Sequence, residues 1–148
     1  MNVDIYPFQI AGAVELYERK RTLLADEPGM FKTSQTIFEI NLIEDDRGKP
    51  IQTLVTCPYA VQEHWVKEFS QWHEGDGEAT IFDMRKFDKS LKKARQSNLI
   101  ITAFPAMSAI SKDKRLKKLL DMEPDLYVID EVHNAKILKH TARVPYKL

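Results

Sequence analysis

Short β-branched runs alternate with longer amphipathic stretches along this chain, and that alternation leaves few folds open to it. "TLLA" (Thr22–Ala25), "QTLVTC" (Gln52–Cys57), "ATIFD" (Ala79–Asp83), "NLIITAF" (Asn98–Phe104) and "LYVID" (Leu126–Asp130) each read as a strand. They are short and almost wholly apolar, as strands buried on both faces are. Pro58 and Pro105 close the second and fourth of them, because proline has no N–H with which to extend a ladder. Between the strands the period changes. "TSQTIFEINLIED" sets Ile37, Ile40 and Leu42 or Ile43 at helical spacing. "VQEHWVKEFSQW" places Val61, Trp65, Phe69 and Trp72 about four apart, "KFDKSLKKA" aligns Phe87, Leu91 and Ala94, and "KDKRLKKLLDM" turns Leu116, Leu119 and Leu120 inward. "DDRGKP" and "EGDGE" are turn-rich breaks. Strands separated by helices pair in parallel, so the expected fold is α/β: a three-layer sandwich, a mostly parallel sheet with helices on both faces. A chain of 148 residues suits one such domain. Ligands of these sheets bind at the carboxyl ends of the strands, and "ADEPGMFKT" and "IDEVH" both fall at such ends.

Several function classes are excluded early. No apolar run approaches the roughly 18 residues needed to span a bilayer, and "MNVDIYPFQIAG" lacks the basic start and apolar stretch of a signal peptide. Cys57 is the single cysteine, so no disulfide framework is possible, and an intracellular setting, cytoplasm or nucleoid or nucleus, is expected. Cys57 sits in an apolar strand and reads as a small hydrophobe. His64, His73 and His140 show no ligand spacing, so no zinc is assigned. Trp65 and Trp72 share a face with Val61 and Phe69 and read as core. The zero net charge conceals an asymmetry: residues 84–120 carry eleven basic and two acidic side chains, whereas residues 1–83 carry seven and fifteen. Lysine patches such as Lys86, Lys89 and Lys93 can grip phosphate backbones, but on residue type solvated helix faces are the preferred reading.

Two segments carry chemistry. A phosphate loop reads G-x-x-x-x-G-K-[ST]. Here Ala25-Asp26-Glu27-Pro28-Gly29-Met30-Phe31-Lys32-Thr33 keeps the lysine and threonine but has no glycine at either glycine position, Phe31 standing at the second. By itself this is equally a strand–loop–helix turn with an exposed lysine. In "LYVIDEVHNAK", Asp130 at a strand end suits Mg²⁺ held through water, and Glu131 suits orienting a water nucleophile. Alone, the pair is equally an acidic turn. It gains weight because an apolar strand delivers it to the same sheet edge as the loop.

Taken in order, the motifs resemble the first RecA-like lobe of superfamily-two helicase-like ATPases, closest to the Swi/Snf branch. "YPFQIAG" (Tyr6–Gly12) is similar to that family's leading "PYQ..G", and "ADEPGMFKTSQ" to its "ADEMGLGKT.Q", where alanine is normal at the first position. "LVTCPYAVQEHWVKEFSQW" matches "LIVCP....W..E..KW" at Pro58, Trp65, Glu68 and Trp72, "IITAF" matches "ITTY", and "DEVHNAKI" matches "DEAH..KN". The resemblance implies an ATP and Mg²⁺ site in which Gln9 reads adenine and Lys32 contacts the β- and γ-phosphates. Asp26, Glu27, Gly29 and Ser34 complete the loop. Thr33 ligates the metal with Asp130 in its outer sphere, Glu131 positions water, and His133 couples the site to DNA. It also implies double-stranded DNA as a partner, crossing the loops at Tyr59 and Phe104, and no membrane.

Two departures shape the expectation. Phe31 adds bulk where glycine lets backbone N–H groups close on phosphate. Either the ring weakens nucleotide binding, or it points outward and the loop opens differently. With Met30 it forms an exposed apolar pair or tucks under the loop. Second, residues 1–148 make a single lobe without the second lobe whose arginines stabilise the transferring phosphate, a contribution of roughly 10³–10⁵ in rate. Little or no turnover is therefore expected of this chain alone. The rival expectation is a non-hydrolysing RecA-like binding or scaffold module with a degenerate loop.

Overall fold

β1 (Thr53–Cys57) lies at the centre of a four-stranded parallel sheet in a computed structural model that describes residues 5–19, 31–103, 117–119 and 121–131. β3 (Leu99–Ala103) pairs along its whole length on one side, Thr53 opposite Leu99 and Cys57 opposite Ala103. β4 (Leu126–Ile129) pairs on the other side, Thr53 opposite Leu126 and Thr56 opposite Ile129. β2 (Ala79–Ile81) lies beyond β3. Each of the four is present where the β-branched runs place it, trimmed by one to two residues. The expected strand Thr22–Ala25 lies outside the described residues.

The helices form for local reasons. α1 (Pro7–Arg19) starts on a proline, whose fixed φ suits the first helical position and whose missing N–H costs nothing there. Gln9, two residues on, reaches back so that its Oε1 accepts the Tyr6 N–H at 2.8 Å, one half of a capping box. α2 (Lys32–Arg47) ends on Gly48 in the left-handed conformation that glycine adopts without penalty. α3 (Gln62–Trp72) and α4 (Phe87–Ala94) are each entered through a single 3₁₀ turn.

Alternation along the strands feeds two separate cores. On one face Val55, Cys57, Leu99 and Ile101 pack against Ile37 and Ile40 of α2 and Trp65 and Phe69 of α3. On the other, Leu54 and Ile100 meet Phe87, Leu91 and Ala94 of α4, together with Leu119. Helices on both faces of a parallel sheet make the expected three layers. The inward sets on α2, α3 and α4 are those the helical spacing picks out, with Ile43, Val61 and Trp72 half-buried at the margin. Leu116 and Leu120 lie outside the described residues, while Lys117 and Lys118 are exposed beside fully buried Leu119.

Candidate functional site

α2 is oriented by its far end. Glu44 near its C-terminus accepts the Ile51 N–H, at the amino end of β1, at 3.0 Å, and its other oxygen lies 2.8 Å from His73 Nε2. Asn41 donates to the Trp72 carbonyl at 2.9 Å. These contacts tie the C-terminal half of α2 to the amino edge of the sheet. A 16-residue helix is about 24 Å long. Its first residues, Lys32 and Thr33, therefore reach the carboxyl edge, where β4 delivers Asp130. Both are half-exposed there.

Asp130 is fixed by the core. Its backbone N–H donates to the Thr56 carbonyl at 2.9 Å, carrying the β1–β4 ladder one residue past the strand. Its Oδ2 accepts a 3.0 Å bond from Trp65 Nε1, although the indole itself is 2% exposed. Glu131, next in the chain, turns out of the sheet with a φ of 59° and is exposed. Behind them Cys57 is fully buried. Burial, and then the neighbouring Asp130 carboxylate, push its thiol pKa up to about 12, which makes it an inert hydrophobe. Buried hydroxyls line the same edge: Thr56 and Thr102 lie 3.1 Å apart, and Thr102 also donates to the Val55 carbonyl at 3.0 Å.

The loop side is built differently. Gln9 is 2% exposed, and its Nε2 donates to Ser34 Oγ at 2.7 Å. Ser34 Oγ donates in turn to the Phe31 carbonyl at 2.8 Å. A polar chain thus runs from Tyr6 through Gln9 and Ser34 to Phe31, with both ends of the Gln9 carboxamide engaged. One turn further along α1, a Cβ on Gly12 would stand 1.9 Å from Gln35 Oε1, so glycine there permits the close approach of α1 to the fully buried Gln35 side chain. Phe31 precedes α2 with φ 54° and ψ 40°, the left-handed conformation of a glycine. Its ring is 51% exposed and packs with Tyr6 and Phe8 at centroid distances of 5.9 and 6.4 Å. The ring therefore points outward, while the loop that leads into it lies outside the described residues. Asp26, Glu27, Gly29, Met30, Phe104 and His133 lie outside the described residues.

The described basic side chains of residues 86–93 do not gather at this edge. Lys86, Lys89 and Lys93 are all exposed, but α4 carries them from the carboxyl edge to the amino edge. Its C-terminal end is tied there by Gln52, which precedes β1 and donates from Nε2 to the Ala94 and Ser97 carbonyls. Arg85 is engaged by Asp83 at 3.1 and 3.2 Å, and those bonds hold the Asp83 carboxyl below the ordinary carboxylate range. Tyr59, 67% exposed, stands in the turn after β1 at the carboxyl edge. Among the described residues no group of three or more His, Cys, Asp or Glu side chains could hold a metal, and no helix is long and apolar enough to cross a membrane.

Sequence reasoning missed the role of Trp65. Its helical spacing with Phe69 shows that it is core, but its indole nitrogen also anchors Asp130. The indole N–H is the one polar group on an otherwise apolar side chain and takes a partner when buried, so a tryptophan pointing at a strand end is the available signal.

A parallel α/β sandwich with a lysine-threonine helix start and a strand-end aspartate at one edge is compatible with a RecA-like lobe, and comparison with known proteins supplies the class. The SNF2-related domain family matches residues 8–144, and the chain belongs to that family. It is 30% identical over 119 residues to the probable ATP-dependent DNA helicase CHR12 of Arabidopsis thaliana, covering 77% of this chain and 10% of that protein. It is 27% identical to the ATP-dependent helicase brm of Drosophila melanogaster over 143 residues, 92% of this chain and 8% of that protein. The Sulfolobus solfataricus SWI2/SNF2 ATPase core in complex with dsDNA superposes with a TM-score of 0.71 at 27% identity, over 92% of this chain and 28% of that one. The chain thus spans about a tenth of the length of these curated relatives.

Proposed function

We propose that this chain is the ATP-binding lobe of a DNA-dependent ATPase or translocase. The observation that carries the reading is the convergence of the Lys32–Thr33 helix start and the Trp65-anchored Asp130 on one edge of a parallel sheet. The donor set fits a Mg²⁺-nucleotide. α2 has neither a side-chain cap nor an acidic residue in its first turn, which leaves its terminal N–H groups and helix dipole for an anion. The Phe31 ring turns aside toward Tyr6 and Phe8.

In this reading Lys32 would pair with the β- and γ-phosphates, and the Thr33 hydroxyl, with Asp130 acting through water, would hold the metal. When bound, the metal supplies charge neutralisation at the transferring phosphate. Glu131 orients the attacking water, and Asp26, Glu27, Gly29 and Ser34 complete the loop. Gln9 serves the adenine edge by exchanging an internal hydrogen bond. His133 couples the site to double-stranded DNA, which passes Tyr59 and Phe104. Turnover requires arginines from a second RecA-like lobe, and this lobe by itself hydrolyses little or no ATP.

Calorimetry with Mg·ATP tests the reading. Binding that weakens by about tenfold or more in Lys32→Ala, the loss of a charge-assisted hydrogen bond, is the expected result. No binding at millimolar nucleotide overturns it. The rival, a non-hydrolysing module, draws on Phe31 standing in a glycine position. Phosphate release on adding a relative's second lobe and double-stranded DNA counts against that rival.

A further inference from the structure

Phe31 occupies a backbone conformation that bulky L-residues avoid, and its surroundings account for how it stays there. Two sets of contacts join the segment Tyr6–Gln9 to the segment Phe31–Ser34. One is the polar chain already described, Tyr6 N–H to Gln9 to Ser34 to the Phe31 carbonyl. The other is aromatic. Tyr6 and Phe8 stack at 5.7 Å and 11° between planes, and the Phe31 ring leans on both at 32° and 39°. All three rings remain 38–51% exposed, so they form a clasp on the surface and are not part of the core.

We propose that Phe31 is a positioning residue: its ring, clasped by Tyr6 and Phe8, holds residue 31 in the left-handed conformation a glycine would supply and thereby sets the first-turn N–H groups of α2 for a polyphosphate. The loop has exchanged glycine's freedom for a side-chain brace. This rests on the nucleotide reading above, and it makes α1 part of the phosphate site through residue 31.

Two measurements on the full chain test it: hydrogen exchange without nucleotide at the amides of Gln35, which donates to the Phe31 carbonyl at 3.1 Å, and Thr36, next along α2, and calorimetric Mg·ATP affinity. Phe31→Ala, and separately the pair Tyr6→Ser with Phe8→Ser, should speed that exchange and weaken Mg·ATP by about three- to tenfold, the factor an aromatic pair contributes. Global thermal unfolding serves as the control and should move little, since the rings lie outside the core. Phe31→Tyr keeps the ring and should restore both readouts. Phe31→Gly should speed exchange and fail to tighten binding. Tighter Mg·ATP binding by Phe31→Gly would falsify the clasp, because the ring would then be an obstacle. Exchange at the parental rate in Phe31→Ala overturns it equally. If the parent binds no Mg·ATP, the nucleotide reading falls, and the exchange rates alone decide the clasp.

Discussion

Asp130 and Phe31 stand on the two arms of the proposed site, and they are held in opposite ways. Asp130 is tied to the interior: a ladder bond to Thr56 of the fully buried β1 and the buried indole of Trp65, in the first turn of α3, fix it. Phe31 hangs from the surface, through exposed rings and a short relay of side-chain hydrogen bonds. The acid arm is as stable as the sheet itself. The loop arm depends on how closely α1 lies against α2. A site of this kind should lose its loop locally more readily than its acid.

The largest expected effect strikes the acid arm. Trp65→Ala should cost about 3–5 kcal/mol, as deletion of a buried indole does, and Trp65→Phe markedly less, with loss of the Asp130 bond. Urea unfolding of the two variants checks this; equal costs would mean that the indole N–H contributes nothing.

Next comes Glu39, one turn beyond Gln35 on α2. It is 7% exposed, and burial raises its carboxyl pKa from the ordinary 4.5 to about 7. A carboxyl raised in the folded state favours its neutral form, so its contribution to stability is full below pH 4.5 and drains away as pH rises through 7. Glu39→Gln should therefore stabilise the chain at pH 8 by on the order of 2–3 kcal/mol and leave it unchanged at pH 4. A pH-independent difference between variant and parent would refute the assignment.

Gly12→Ala should destabilise by about 1–3 kcal/mol through overpacking against Gln35, and it should loosen the loop arm before the sheet. Differential exchange, with the Gln35 and Thr36 amides faster and the β1 amides unchanged, is the signature to look for. If β1 loosens as much, the two arms are not separable. The smallest effect concerns Cys57. With its thiol buried and its pKa pushed up to about 12, alkylation at pH 8 should proceed only as fast as the chain unfolds. Faster labelling would show that the edge beside Asp130 opens on its own.

The acid arm was largely legible in the sequence. "LYVID" is an apolar run that ends on an acid, so period and composition place Asp130 at a strand end before any contact is known. Ile37, Ile40, Trp65, Phe69, Phe87 and Leu91 were equally legible, because burial imposes the helical period that exposes them. The loop arm was not. Nothing about Phe31 in a string of letters tells which way its ring turns. That depends on Tyr6 and Phe8, more than twenty residues away, and on the approach of α1 to α2 that Gly12 permits. Gln9 shows the same limit: its letter fits both a base reader and a helix cap, and only the Tyr6 and Ser34 contacts show its present use. Lys86, Lys89 and Lys93 are exposed, as the solvated-face reading of the basic run expects.

The bond from the Asp130 N–H to Thr56 has a consequence for how such chains can vary in length. It indexes the acid to β1 by residue count, since Thr53 pairs with Leu126 and Thr56 with Ile129. One residue inserted between Leu126 and Asp130 would turn every following side chain to the opposite face and carry the carboxylate away from Trp65. Changes in length among descendants of this sequence should therefore accumulate before Leu126, where Asp125 accepts the Gln52 N–H at 2.9 Å and marks where the counting begins.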